Sequence, residues 1–185
     1  MRVIAGKARG TKLAAPDGLE TRPTADRIKE SLFNMIASDL YDCRFLDLFS
    51  GSGGIGIEAL SRGAREAVFV DLSKGALKCI RLNIEKTKFG DKSAVLNTSV
   101  EAAFNQFKQH NRKFDIIFMD PPYNKDIIGD TIELIQKYKL LAPGGAIIVE
   151  RDSAYRMAVY DGFEIWKEKK YGKTTISFLK GTENV

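Results

Sequence analysis

The stretch from Arg44 to Gly56 limits what this chain can fold into more than any other. An apolar run of strand length, Phe45 to Leu48, breaks into a glycine-rich turn and continues as a helix-like segment ending near Arg62-Gly63. Strand, glycine turn and helix in that order are how a doubly wound α/β sheet holds a nucleotide-like ligand over its strand ends. Asp47 is the odd residue. A carboxylate inside an otherwise apolar strand is costly to desolvate unless something satisfies it, and a ligand beside the turn is one candidate partner. The turn therefore predicts a cofactor site.

Around this centre the pattern alternates. Ala67 to Asp71, Ala94 to Asn97, Phe114 to Met119 and Ala146 to Val149 read as strands, the last following a turn at Ala142 to Gly145. Lys74 to Thr87, Val100 to His110 and Ile128 to Tyr138 read as helices, and crossovers of that length imply parallel strands. Phe163 to Tyr171 and Thr174 to Lys180, joined at Gly172-Lys173, read as an antiparallel pair. Upstream, Thr24 is the expected N-cap of a helix running to about Asp39, with Ile28, Leu32, Met35, Ile36 and Leu40 on one face. Val3 to Ala5 and Lys12 to Ala14 flank Gly6 to Gly10 and predict a small hairpin. The expected architecture is α/β: a Rossmann-like parallel sheet finishing in an antiparallel hairpin.

Composition excludes several classes. A chain of 185 residues, 44% apolar, can bury one sizeable core. Its net charge of +5 suits a polyanionic partner without identifying one. Cys43 and Cys79 lack the spacing of metal ligands, so no metal is expected. No apolar run has membrane-spanning length, and the start lacks a signal-peptide core, so a cytoplasmic protein without membrane contact is expected. The single histidine, His110, reads as a solvated helix end.

Gly51-x-Gly53-x-x-Gly56 fits a dinucleotide fingerprint, and Asp71 lies where that fingerprint wants an acid. Two cofactors compete. Asp47 before the turn suits the cationic amino end of S-adenosyl-L-methionine (AdoMet) and would repel a pyrophosphate, which favours AdoMet over NAD. Asp71 serves a ribose in either case. Phe49, Ser50 and Leu72 flank these positions.

The chemistry falls after the fourth strand, at Asp120-Pro121-Pro122-Tyr123. Each proline pushes the residue before it towards extended geometry, so the Asp120 and Pro121 carbonyls project past the strand as acceptors. Asp120 adds a carboxylate and Tyr123 an aromatic face. That set suits methylation of an exocyclic amine on a planar base: acceptors on its two N–H groups draw the nitrogen towards a pyramidal form, and Tyr123 stacks on the extruded base. Arg2, Lys7, Arg9 and Lys12, with no acid before Asp17, read either as a solvated basic edge or as a phosphate-gripping arm. Lys167, Lys169, Lys170 and Lys173 have the same two readings.

Asp47 to Gly56, Asp71 and Asp120 to Tyr123 together resemble the class I AdoMet-dependent amino-methyltransferases. Arg2 to Gly6, Arg22 to Arg27 and Glu30 to Asn34 look like one branch of them, the RsmD-type enzymes that methylate guanine N2 in bacterial small-subunit (16S) rRNA. The resemblance implies a seven-stranded sheet, AdoMet over Asp47 to Gly56 with Asp71 on the ribose, and the target amine at Asp120 to Tyr123. It implies a methyltransferase domain over 23–185, with residues 1–22 as an RNA-gripping appendage and Arg22, Thr24 and Arg27 near the cleft. The expected partner is small-subunit rRNA or the assembling 30S subunit, met by a monomer. In one place the chain departs from the pattern: Ser99 stands where an acid often holds the cofactor's adenine, leaving the Val100 N–H for that ring. Lys29, where an arginine is common, is read as changing little. Rival readings are a DNA adenine-N6 or cytosine-N4 methyltransferase, an NAD-dependent oxidoreductase, and a non-catalytic nucleic-acid-binding module.

Overall fold

Apolar runs separated by helix-length crossovers become five parallel strands in this computed structural model, which describes residues 1–16, 23–122 and 125–182. They are β1 (Arg44–Leu48), β2 (Glu66–Asp71), β3 (Ser93–Asn97), β4 (Phe114–Met119) and β5 (Leu141–Asp152). β6 (Phe163–Tyr171) and β7 (Thr174–Gly181) form the antiparallel pair, and β7 slots between β5 and β6. The seven-stranded order is β3-β2-β1-β4-β5-β7-β6. Strand order reverses between β1 and β4, which opens a crevice at their carboxyl ends.

Both faces are covered, so the central strands are apolar almost throughout rather than alternating. Helices α1 (Pro23–Met35), α2 (Gly54–Ser61) and α3 (Lys74–Thr87) pack on one face, over Phe45, Phe69, Phe118 and Phe178. α4 (Val100–Gln109) and α5 (Lys125–Lys137) pack on the other, over Leu46, Leu48, Ile117 and Val149. Among the described residues no helix is long and apolar enough to cross a membrane.

Three elements differ from expectation. α1 begins at Pro23, one residue before the expected cap, because proline's fixed φ and missing N–H suit a first helical position. It stops at Met35; Ile36 leaves helical geometry at φ −111° and Ala37–Asp39 form a tighter 3-10 turn, which carries both Ile36 and Leu40 into the core. β5 begins at Leu141 rather than Ala146: the Pro-Gly-Gly stretch stays in the strand as an irregularity opposite Phe114 to Ile116.

The third is the N-terminal hairpin, which is not formed as two strands. One isolated antiparallel bridge joins Arg2 and Lys12. Past it the pairing is irregular: Gly10 N–H donates to Val3 O at 2.8 Å, Thr11 N–H turns to Ala8 O at 3.2 Å, the Ile4 and Ala5 N–H groups donate to Glu58 at 2.8 and 3.0 Å, and the Lys7 and Ala8 N–H groups to Ser61 O and Oγ at 2.8 and 2.9 Å. Gly6 sits so close to α2, at φ +81°, that a Cβ there would lie 1.8 Å from Ser61 O. Glu58 itself is fully buried and ion-paired with Lys29 (3.1 Å) and Arg62 (2.8 Å). Lys29, 3% exposed, also donates to Arg2 O, and burial holds its amine below the usual lysine range. The residue read as changing little thus belongs to a buried ionic cluster tying α1, α2 and the N-terminal segment together.

Candidate active site

The turn after β1 is built by reciprocal hydrogen bonds between side chains and backbone. Ser50 Oγ donates to Asp47 O (2.6 Å) and accepts from Val70 N–H (3.0 Å), locking the end of β1 to β2. Asp71 Oδ2 accepts from Gly51 N–H (2.9 Å) and its Oδ1 from Ser73 N–H (2.8 Å). Asp47, only 1% exposed, accepts the Gly56 N–H at 2.9 Å, inside the first turn of α2. Burial, opposed by that hydrogen bond, pushes its carboxyl well above the usual range, and the charges of Asp120 and Asp71 add to the rise. Gly56 must lack a side chain: a Cβ would stand 2.4 Å from the Phe69 ring and 3.1 Å from Asp47 Oδ2. Phe49, at φ +57°, adopts a left-handed conformation that few non-glycine residues tolerate.

A cavity of about 240 Å³ lies over this turn. Asp47, Phe49, Ser50, Gly51 and Asp120 line it. Its other walls were not foreseen: Met1, Ala15 and Pro16 of the N-terminal segment, Lys29 and Leu32 of α1, and Glu150 of β5. Gly53 and Gly56 shape the turn behind the cavity, and Asp71 fixes Gly51 from β2. Leu72, Ser99 and Val100 are outside its lining. Leu72 is 68% exposed at the end of β2. The Ser99 hydroxyl is committed as the α4 N-cap, accepting from Ala102 N–H, and Val100 packs against the second core.

A second cavity, about 280 Å³, opens on the other side of the β4 and β5 ends. Asp120, Pro121 and Pro122 form one wall, and Ile128, Tyr155 and Thr174 lie around it. The two cavities share Asp120 and Glu150. These carboxyls stand side by side, one step beyond the Met119–Val149 register pair on adjacent parallel strands. Asp120 faces the open cleft, yet the surrounding protein pushes it up to about 6. Glu150 is pushed up to about 8, first by burial and then by the charge of Asp120. Proximity of Glu150 to the proline pair follows from the sheet order β4-β5, which a strand-end acid alone does not announce.

Of the residues expected to meet RNA, Lys7, Arg9, Lys12 and Arg27 are exposed. Arg2 is exposed but ion-paired with Asp26 at 3.3 Å. Arg22 and Tyr123, and the side chain of Thr24, lie outside the described residues. Among the described residues no group of three or more His, Cys, Asp or Glu is arranged to hold a metal.

This geometry has known relatives. The solved structure of yhhF from Escherichia coli superposes with a TM-score of 0.86 at 31% identity, covering 98% of this chain and 97% of that one. YlbH of Bacillus subtilis (strain 168) is 37% identical over 97% of this chain and 98% of its own length. The Haemophilus influenzae protein named ribosomal RNA small subunit methyltransferase D is 33% identical over 93% of this chain and 89% of its own. The family model described as Conserved hypothetical protein 95 matches residues 1–180. With that match and this identity across nearly its whole length, the chain belongs to the Conserved hypothetical protein 95 family, the RsmD-type family that its N-terminal signature resembles.

Proposed function

We propose that this protein methylates the exocyclic N2 amine of a guanine in small-subunit (16S) rRNA, using AdoMet. One observation carries the reading: a cavity over the glycine turn and a second, open cavity meet at Asp120, where β4 finishes. The name of the Haemophilus influenzae relative supports the substrate class.

The residues of the first cavity fit AdoMet. Gly51 is open, with nothing within 4 Å of where a Cβ would be, so a ligand can approach its backbone. Asp47 supplies a buried carboxylate for a cationic amino group, and Asp71, already braced against Gly51, stands at the strand end for ribose hydroxyls. Bound there, AdoMet supplies an electrophilic sulfonium methyl group. The chain's own residues do the rest. Asp120 and the Asp120 and Pro121 carbonyls accept from the amine, restrict its rotation and turn its lone pair towards the first cavity. As N–C bond formation makes the amine acidic, Asp120 accepts its proton. Ile128 and Tyr155 offer apolar walls to the base, and Tyr123 follows directly in sequence to stack on it. Lys7, Arg9, Lys12 and Arg27 supply phosphate contacts, with residues 1–22 acting as the RNA-gripping part of a cytoplasmic monomer. Ser99 and Val100 remain candidates for the adenine edge at the end of β3.

The test is transfer of radiolabelled methyl groups from AdoMet to undermethylated small ribosomal subunits, protein-free small-subunit rRNA and duplex DNA. Label on guanine N2 of either ribosomal substrate is expected. Transfer to DNA adenine or cytosine alone, or no transfer despite AdoMet binding, overturns the proposal.

A further inference from the structure

Glu150 has no task in the scheme above. It stands beside Asp120, lines both cavities and is half-buried, yet its carboxyl is shifted only by burial and by the neighbouring acid, with no hydrogen bond from a described residue. The adjacent cation does not answer it. Arg151 points into a separate network, donating to Ser177 Oγ (3.0 Å), Tyr155 O (2.5 Å) and Glu168 Oε1 (2.5 Å). An acceptor without a donor among the described residues, at the wall where a base must lie, is matched by a substrate donor.

The three amine-bearing bases differ at that point. Guanine carries a second donor, N1–H, next to its N2 amine. Adenine and cytosine carry a bare ring nitrogen, an acceptor, next to theirs. Asp120 directly follows β4 and Glu150 lies on the neighbouring β5, strands spaced about 4.8 Å apart, so a base edge can meet both. We infer that Glu150 is the specificity-determining residue for guanine, its carboxylate accepting N1–H while Asp120 and the proline-pair carbonyls hold the N2 amine. The inference rests on the guanine-N2 reading and deepens it: the same carboxylate repels the ring nitrogen of adenine or cytosine, so one residue both admits guanine and excludes the bases a DNA amino-methyltransferase would take. Burial raises Glu150 in the free protein, and an incoming N1–H favours its ionised form, so recognition of the base and loss of that proton are linked.

The experiment uses small-subunit RNA carrying either guanine or 2-aminopurine at the methylated position, located first by mapping the product. 2-Aminopurine keeps the N2 amine but presents a bare N1. Above pH 8, where Glu150 is ionised, the wild-type protein is expected to favour guanine by about ten- to a hundredfold in kcat/KM, the range for leaving a charged, half-buried acceptor unpaired. In Glu150→Gln the side-chain amide donates to N1 of 2-aminopurine, so the guanine-to-2-aminopurine ratio is expected to fall at least tenfold. Should the variant transfer to neither, the same ratio is read from competitive equilibrium binding of the two RNAs. An unmoved ratio in whichever assay applies overturns the role of Glu150 while leaving the methylation reading intact. Absence of wild-type transfer to the guanine RNA defeats the methylation reading itself.

Discussion

The two halves of the cleft are built on opposite principles. On the β1–β2 side nearly every polar group is already answered within the protein: Asp47 by Gly56, Asp71 by Gly51 and Ser73, Ser50 by Asp47 and Val70. On the β4–β5 side Asp120 and Glu150 stand together, both raised by the surrounding protein, with no hydrogen bond from a described residue to offset it. The first half is preorganised for a ligand that is always the same. The second is left unsatisfied, and unsatisfied acceptors in a sheltered cleft are what a donor-bearing substrate edge replaces water to meet.

The most severe way to test that contrast is Asp120→Ala. Turnover is expected to fall by about 10²–10⁴, the range for removing a positioned acid–base group, with AdoMet affinity changed no more than a few-fold. Single-turnover transfer and calorimetric AdoMet binding separate the two quantities. Equal loss of both would mean that Asp120 serves the closed side of the cleft rather than the open one.

Next in size is Glu58→Gln, which attacks the closed side from behind. Glu58 receives the Ile4 and Ala5 N–H groups on its two oxygens and balances Lys29 and Arg62. The amide has one acceptor instead of two and no charge, so Lys29 is left buried without its counter-ion. Loss of about 3–5 kcal/mol is expected from denaturant unfolding, as when one partner of a buried ion pair is removed. Because Met1, Ala15 and Pro16 form the outer wall of the cofactor cavity, AdoMet affinity should weaken as well. Lys29→Met should be milder, since Glu58 keeps Arg62 and both backbone donors.

How far the sequence carried depended on the same contrast. The glycine turn, Asp47 and Asp71 sit within 25 residues of one another, and their meaning follows from local spacing. Asp120 to Pro122 was legible because two prolines after an apolar run have few conformations open to them. Glu150 was not, because its importance comes from β5 lying next to β4, a tertiary fact. Lys29 and Glu58 were missed for a similar reason: 29 residues apart, they meet only when α1 and α2 pack on the same sheet face. The N-terminal hairpin stopped at one bridge for a subtler one, since the Ala5 N–H goes to a buried carboxylate and the Thr11 N–H to the local turn at Ala8.

A smaller effect distinguishes the two carboxyls by pH. Glu150, raised from 4.5 to about 8, binds its proton more tightly folded than unfolded, so its stabilising contribution is complete below about pH 4.5 and is lost as pH rises through about 8. Glu150→Gln cannot ionise. Its denaturation midpoint should therefore gain on the wild type between about pH 4.5 and pH 8. Asp120 just past β4, Asp47 on β1, Lys29 on α1 and the flanking Arg151 and Asp152 share its cavities and keep their identity in that comparison, though Asp120 loses the charge of its neighbour. Transfer should move the other way in the wild type, with kcat/KM rising as Asp120 ionises near pH 6 and again as Glu150 ionises near pH 8. The upper rise should vanish in the variant. A profile flat above pH 6 in both proteins would remove Glu150 from substrate recognition.

The smallest expected change lies outside the cleft, on the basic N-terminal segment. Arg2 is already engaged with Asp26, whereas Arg9 and Lys12 are exposed and form no ion pair with a described residue. Neither touches the cavity lining, so reversing both to Glu should leave stability and AdoMet binding unchanged. Each phosphate that a cation ceases to neutralise takes about 0.7–0.9 from the slope of log affinity against log salt, so the double variant should flatten it by roughly 1.5 if both grip the RNA backbone. The effect on affinity shrinks at high salt, where released counter-ions no longer drive binding, and this separates a weakened hold on phosphate from a refolded segment. An unchanged slope would confine the open side of the molecule to the β4–β5 cleft and make residues 1–16 a wall of the cofactor cavity and nothing more.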